Sequence, residues 1–517
     1  MNQELKNIVI VGGGSAGWLS AAIIASQHQT QGDNAINVTL IESPDVATIG
    51  VGEGTWPSMR QTLKSIGISE TEFFIECDAS FKQASEFRNW THGNGDSYFH
   101  PFTMPSGFHE TNIAEFWQQH RDKVSFADAT TSQSHVCRNG LAPKQIATPE
   151  YSFFLNYGYH LDAGKFATLL QKHCTEKLGV RHILDHVSKV NAHASGDIKS
   201  VSSRKHGEIA GDLFIDCTGL KSLLLGEHYG IEFISRQDVL FNDRALAVHV
   251  PYAKEDADIA SHTISTAQRC GWIWDIGLPS RRGVGHVYSS AHISDEEAAN
   301  DLRAYIRPAL GDKTNDADLR LIKINPGHRA KFWHKNCVAI GMAAGFIEPL
   351  EASALALIEL SAKMIAEQLP ANRQVMDITA KRFNDKFSYR WQRVIEFLKL
   401  HYVLSKRDDS DYWRDNRNDQ SIPEHLQELL QLWQYQTPYT FDCMHADELF
   451  PAASFQYILY GMDFETKLPQ RQKRLNNNNM ANQYFNDNIK QTQHLMRALS
   501  SNRELINKIK QYGFAKV

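Results

Sequence analysis

The hydrophobic pattern is sharpest at the start of the chain. A short apolar run, Ile8-Val9-Ile10-Val11, is followed by the small residues Gly12-Gly13-Gly14-Ser15-Ala16 and then by Gly17 and an apolar stretch from Trp18 to Ala25. The lengths predict a buried strand, a tight turn and a helix. A second apolar run, Val38-Thr39-Leu40-Ile41, ends in Glu42. Two later runs repeat the theme of a buried strand closing on small residues. One is Asp212 to Cys217 before Thr218-Gly219; the other is Cys337 to Ile340 before Gly341-Met342-Ala343-Ala344-Gly345, with a helix expected from Ala354 to Ile365. Alternation in Ala245–Val250 and Gly285–Tyr288 predicts an antiparallel sheet. Residues 91–150 read as loops and short helices. Beyond about residue 370 the spacing turns helical, as in Trp391, Ile395, Phe397, Leu398 and Tyr402. The tail from Ile489 to Tyr512 reads as one amphipathic helix, and Asn476 to Asn479 as a polar loop.

The strand–glycine–helix order makes chemical sense as a dinucleotide site. Gly12 permits the turn, Gly14 admits phosphates to the backbone, and Gly17 lets the helix pack against the strand. Ser15 and Ala16 open the helix, whose first N–H groups attract an anion. Glu42 stands where an acid suits a ribose hydroxyl. Three strands ending in small residues could converge on one ligand, because open α/β sheets bind ligands at the carboxyl ends of their strands.

Composition narrows the class. The 517 residues, 42% of them hydrophobic, allow two or three domains. A net charge of -5 gives no reason to expect nucleic acid or an anionic membrane as partner. No apolar run approaches a membrane span, and no secretory signal is evident, so a cytoplasmic enzyme is expected. The seven cysteines are scattered and read as buried free thiols. His182 and His186 are four apart, but on a predicted strand they share a face without converging, so no metal is expected.

Four further segments carry the identification. They are Gly-Val-Gly-Glu-Gly-Thr-Trp-Pro at 50–57, Ser-Phe-Lys-Gln at 80–83, Gly-Trp-Ile-Trp-Asp-Ile-Gly-Leu at 271–278, and Gly-Phe-Ile-Glu-Pro-Leu-Glu-Ala-Ser-Ala-Leu at 345–355. In type and order the set resembles the flavin-dependent halogenases related to tryptophan halogenase, whose Trp-x-Trp-x-Ile-Pro marker falls on Trp272, Trp274 and Ile276. The resemblance implies an α/β fold: a Rossmann-like FAD-binding domain of the flavin monooxygenase type, with an antiparallel sheet insertion and a helical C-terminal substrate region. The FAD domain is then discontinuous, over 1–90, 151–231 and 301–370. Residues 91–150 and 232–300 form the insert, and 371–517 the helical region.

The resemblance also implies the chemistry. FAD in its reduced form, FADH2, together with molecular oxygen, converts a bound chloride or bromide to hypohalous acid. A lysine and a glutamate in a separate chamber, reached by a short tunnel, then direct halogenation of an electron-rich ring. These catalytic residues map onto Lys82 and Glu351, and the halide onto Ser353 and Ala354. Flavin contacts map onto Gly52, Glu53, Gly54, Met342, Leu355 and, through the apolar run Ile183 to Val190, Val187. His100 and Phe102 match the aromatic part of the substrate chamber. A separate flavin reductase is the implied partner; a homodimer is compatible with the chain.

The residue types fit those roles without the resemblance. A buried ammonium can hydrogen-bond hypohalous acid, and a carboxylate can accept the ring proton. Glu348, three positions before Glu351, is a second acid, though Pro349 keeps the pair from sharing a helical face. Three departures from the family pattern stand out. Gly277 replaces the marker's proline and is expected to loosen the strand end. Ala352 and Ala354 replace a serine and a glycine; if Ala354 takes positive φ, its methyl is costly. Phe450 to Tyr460 offers no acid for an ammonium, which points to an indole-like or larger aromatic rather than free tryptophan. Chloride versus bromide stays open. So do two alternatives, a flavin-dependent aromatic monooxygenase and a non-catalytic flavin-binding redox protein.

Overall fold

The computed structural model describes residues 4–32, 35–46, 52–445, 447–469 and 479–515. Gly50 and Val51 of the glycine-rich segment, and Asn476 to Asn478 of the polar tract, lie outside the described residues. The chain forms two compact units. The first comprises Met1–Asp78, Leu161–Arg236 and Asn325–Trp391; the second comprises Ala79–His160, Gln237–Ile324 and Gln392–Val517.

The first unit is built on a six-stranded sheet in the order Trp333–His334, Cys337–Ala339, Leu213–Asp216, Asn7–Val11, Asn37–Glu42 and Arg181–Leu184. All neighbours pair in parallel except the Trp333–His334 edge. Strands buried on both faces need continuous apolar runs, which is what Ile8 to Val11 and Leu213 to Ile215 supply. The helix Ser15–Gln27 is buried from Gly17 through Ala25. Such a helix, apolar on every side, belongs in an interior. It packs against the helices Ala163–Glu176 and Ser353–Glu367.

The expected convergence of glycine-ended strands is present. Gly12 has φ 112, and a methyl there would lie 2.2 Å from the carbonyl oxygen of Cys217. Gly17 lies against the Gly12 carbonyl, where a methyl would fall 1.8 Å away. Gly341, which follows the third strand, rests on the Ala16 methyl.

The second unit contains a seven-stranded sheet in the order Arg320–Lys323, Arg244–Pro251, Arg281–Tyr288, Trp272–Gly277, Thr263–Ala267, Ala84–Arg88 and Ser97–Pro101. Ala245 pairs with Val287 and Ala247 with Gly285, so the two alternating runs lie in an antiparallel sheet, as expected, and are neighbours in it. One pair, Thr263–Ala267 with Ala84–Arg88, is parallel. Trp272 and Trp274 are buried, with ring centres 6.4 Å apart in an edge arrangement. Trp272 also meets Trp90, which packs on Tyr402 and Trp413.

Several details differ from the sequence reading. Residues 79–90, grouped there with the nucleotide unit, supply the strand Ala84–Arg88 to the second unit's sheet, and 301–324 follow because the helix Asp295–Leu310 packs on that sheet. The run Ile183 to Val190 is two strands in different sheets: Arg181–Leu184 extends the six-stranded sheet, and Val187–Ala192 pairs with Ile198–Ser203. Asp185 and His186 make the break; the Asp185 side chain caps the His186 and Lys205 N–H groups. The tail is two helices, Asn479–Ala498 and Asn502–Tyr512, because Ser501 accepts from the Glu504 N–H and starts a new helix. The strand at Gly277 is not loosened: Gly277 still pairs with Arg282, and a methyl on it would lie 2.9 Å from Ile259 and 3.1 Å from the Tyr252 hydroxyl.

Gly17→Ala forces a methyl into the Gly12 carbonyl. Overpacking of this kind costs about 1–3 kcal/mol, which a lowered urea midpoint of the purified chain will register.

Candidate functional site

In the first unit the helix Ser15–Gln27 starts without a side-chain cap, and no acid lies in its first turn. Its leading N–H groups are therefore left for an external acceptor, which suits an anion. A methyl added to Gly14 would meet nothing within 4 Å, so space lies over the turn where phosphates would approach. Gly13 is different. A methyl there would collide with the Glu42 carboxylate, which lies across the turn. Glu42 is half-buried and pairs with His182 at 2.7 Å. Burial raises its carboxyl above the ordinary value, and the imidazole opposes that shift. His182 was read only as a strand histidine; its role as the partner of Glu42 follows from the pairing of Leu40 with His182 between neighbouring strands.

Gly219, at the end of the second converging strand, lies within 3.8 Å of the Met342 methyl once a Cβ is added. Met342 follows the third strand, so the second and third of the converging strand ends lie side by side. Leu355 is buried on the helix Ser353–Glu367. Glu53 and Gly54 form a short strand, and Gly52 precedes it. Burial pushes the Glu53 carboxyl up to about 7. Val187 lies on the separate three-stranded sheet, opposite Ser203.

The turn before the helix Ser353–Glu367 is strained. Glu351 has φ 63 and ψ 4, and Ala352 has φ 55 and ψ 44, both left-handed. Each such non-glycine residue costs roughly 1–2 kcal/mol. The strain therefore falls on Glu351 and Ala352, and Ala354 is helical. Ser353 is the first helical residue, not a residue before the helix. Two contacts hold the turn. The Ala352 N–H donates to the Pro349 carbonyl at 2.9 Å, and the Trp56 indole N–H donates to the Glu351 carbonyl at 2.8 Å. Trp56 belongs to the segment 50–57, whose pattern gives it no role of its own; a partly buried indole needs an acceptor, and that is the signal the sequence offers. Glu348 and Glu351 are both buried.

In the second unit Lys82 is 1% exposed. It closes the strand Ser80–Lys82, which pairs antiparallel with Gly158–Leu161. The residue opposite Lys82 is Gly158. The Lys82 ammonium lies 5.3 Å from the centre of the Phe102 ring. Phe102 is fixed by its backbone: its N–H donates to the Gln83 carbonyl, and its carbonyl accepts from the Asn156 amide. His160, opposite Ser80, is fully buried with Nε2 2.8 Å from the Thr263 hydroxyl. Burial first, then the charge of Lys82, holds this imidazole well below its ordinary pKa. It stays neutral, which spares the buried lysine a second positive charge.

The Ser80 hydroxyl donates to the Gly277 carbonyl at 2.5 Å. The end of the Trp272–Gly277 strand thus anchors the strand that carries Lys82. His100 is buried; its Nε2 lies 2.9 Å from the Ser454 hydroxyl, and its ring packs beside Phe397 and Tyr457. Phe102 is more accessible than His100. Ser454 was not singled out from sequence, because a serine on an apolar helix carries no signal of its distant partner.

Among the described residues no group of three His, Cys, Asp or Glu side chains is placed to hold a metal, and no helix is long and apolar enough to cross a membrane. Six of the seven cysteines are buried, and all are free.

A profile described as tryptophan halogenase matches residues 7–479. The chain is 31% identical to tryptophan 6-halogenase SttH of Streptomyces toxytricini, over 88% of each chain. The crystal structure of a tryptophan halogenase from Shewanella frigidimarina NCIMB 400 superposes with a TM-score of 0.97 at 54% identity, covering 100% of this chain and 99% of that one. BrvH, a flavin-dependent halogenase from Brevundimonas sp. BAL3, superposes with a TM-score of 0.85 at 28% identity, covering 98% and 99%.

Trp56→Phe removes the N–H that holds the strained turn and leaves the Glu351 carbonyl without that donor. An unmade bond of this kind costs about 1–3 kcal/mol. Hydrogen–deuterium exchange over residues 349–356 should rise, while exchange over the strand Asn7–Val11 should not change.

Proposed function

The chain belongs to the tryptophan halogenase family and is a flavin-dependent halogenating enzyme; from that premise we propose which residues do the work and on what substrate. The observation that carries the reading is the burial of Lys82 against an aromatic ring, since a dry ammonium beside a flat apolar surface suits an electrophilic halogen donor and an electron-rich ring.

The first unit fits FAD. Gly12, Gly14, Ser15, Ala16 and Gly17 would take the pyrophosphate, Glu42 the ribose, and Gly52, Glu53, Gly54, Met342 and Leu355 the ring side. The open space over Gly14 and the uncapped helix start support this. Val187 would meet the adenine side. Bound reduced flavin supplies the two electrons with which molecular oxygen converts halide and a proton to hypohalous acid and water. Ser353 and Ala354 would hold the halide by their backbone N–H groups. A left-handed residue, Ala352, followed by a right-handed one, Ser353, turns successive N–H groups to one side, an arrangement that suits an anion.

Lys82 would hydrogen-bond the hypohalous acid and present its halogen. The ring π electrons form the carbon–halogen bond, and the oxygen leaves as water after protonation. Glu351 would stabilise the cationic ring and accept the proton lost from the substituted carbon. His160, kept neutral, favours a hydrogen-bonding role for the lysine over electrostatic crowding. Phe102 and His100 would flank an indole. Reduced flavin would come from a separate reductase, in the cytoplasm.

Lys82→Ala is expected to reduce bromination of indole by at least about 100-fold while leaving flavin affinity and oxygen consumption near those of the parent. Product is read by mass spectrometry with reduced flavin, oxygen and bromide. Loss of flavin binding in this variant would overturn the role given to Lys82. Oxygenated but unhalogenated product from the parent would instead favour an aromatic monooxygenase.

A further inference from the structure

Glu359 is a buried acid for which the proposed chemistry has no use. It lies on the helix Ser353–Glu367 and is 3% exposed. Two hydroxyls on the helix Ser58–Ile66 donate to it: Thr62 at 2.5 Å to Oε1 and Ser58 at 3.1 Å to Oε2. That helix follows directly on the glycine-rich segment. Trp56, two residues before Ser58, holds the Glu351 carbonyl. Glu359 lies six residues, about 9 Å, into the helix that the strained turn opens. The segment from Trp56 to Thr62 therefore grips the strained turn at one point and the helix behind it at another.

We propose that Glu359 is a positioning residue for the halide turn: its carboxyl clasps the two helices together, and its proton decides whether the left-handed pair Glu351–Ala352 is held in place. The proposal rests on the assignment of the halide to Ser353 and Ala354.

A neutral carboxyl is satisfied by two hydroxyls when one of them turns to accept its proton. An ionised one accepts from both but still carries its charge in a dry pocket, and that uncompensated desolvation draws in water or moves the side chain. The charged groups around it are few. Lys363 lies one turn further along the same helix and favours ionisation weakly. The helix Ser15–Gln27, packed alongside, has no ionisable side chain. The helix Ser58–Ile66 also carries Arg60 and Lys64. The acid of the glycine-rich segment, Glu53, is itself raised by burial. Desolvation of Glu359 outweighs the two hydroxyls and Lys363 and pushes its carboxyl up to about 7 from 4.5. A carboxyl raised on folding stabilises the protonated folded state. Its contribution is greatest in acid and is lost as pH rises through about 7.

The test compares the full chain with Glu359→Gln and Thr62→Val. Exchange of residues 349–362 and the KM for bromide are followed from about pH 6 to about pH 8.5. In the parent, exchange beyond the intrinsic rate and bromide KM should both rise several-fold over this range. Glu359→Gln, which keeps the shape and bonding but has no proton to lose, should flatten both. Thr62→Val should move the transition to higher pH, because a hydroxyl that favours the ionised form is gone. Identical profiles for the parent and Glu359→Gln would overturn the clasp and point to Glu53 as the titrating group. Exchange that follows Glu359 while bromide KM does not would uphold the clasp and overturn the halide assignment beneath it.

Discussion

Two backbones touch at the start of the first helix, and the first unit is arranged around that contact. Gly17 lies on the carbonyl of Gly12, and Gly12 on the carbonyl of Cys217, at separations that leave no room for a Cβ. The helix Ser15–Gln27 can therefore begin directly over the carboxyl ends of the Asn7–Val11 and Leu213–Asp216 strands. Gly341 closes in from the next strand onto Ala16. Three chain segments far apart in sequence thus deliver their ends to one edge of the sheet. The helix arrives without a cap, so its N–H groups are available to an anion rather than to a side chain.

The same unit stores strain and electrostatic cost at one place. Glu351 and Ala352 adopt left-handed conformations that neither residue favours, and they persist because Trp56 and the helix behind them hold both sides. Glu53 and Glu359 are acids pushed toward neutral pH by burial alone as the leading cause. A structure that only needed stability would place a glycine in the turn and an apolar residue on the helix.

In the second unit the tryptophan marker has a structural reading of its own. Trp272 and Trp274 pack edge to face within a cluster that includes Trp90, so they are core residues of the sheet. The strand's last residue, Gly277, gives its carbonyl to Ser80, two positions before Lys82. The glycine fits because Ile259 and Tyr252 fill the space that a larger residue would need. The marker strand thereby orients the lysine strand through one hydrogen bond. Gly158 is the residue opposite Lys82, and His160 stays neutral on the same strand.

Much of this was legible without coordinates wherever the signal was local. The first strand, its glycine turn, the helix, and an antiparallel sheet containing Arg244–Pro251 and Arg281–Tyr288 all follow from period, length and glycine placement. The family followed from four short motifs in order. Local signals failed where distant partners decide. Ile183 to Val190 looks like one strand, yet Asp185 binds backbone twenty residues away and splits it between two sheets. The tail looks like one helix, yet a serine cap divides it. A cost at Ala354 was foreseen only if that residue took positive φ; it is helical, and the left-handed residues are Glu351, whose carbonyl accepts from the Trp56 indole of the glycine-rich segment, and Ala352. Periodicity and motif depend on neighbours in sequence, so the chain alone determines its elements and its family. Burial, partner and backbone strain depend on neighbours in space, and only the folded structure could assign His182 to Glu42, Ser80 to Gly277, and Thr62 to Glu359.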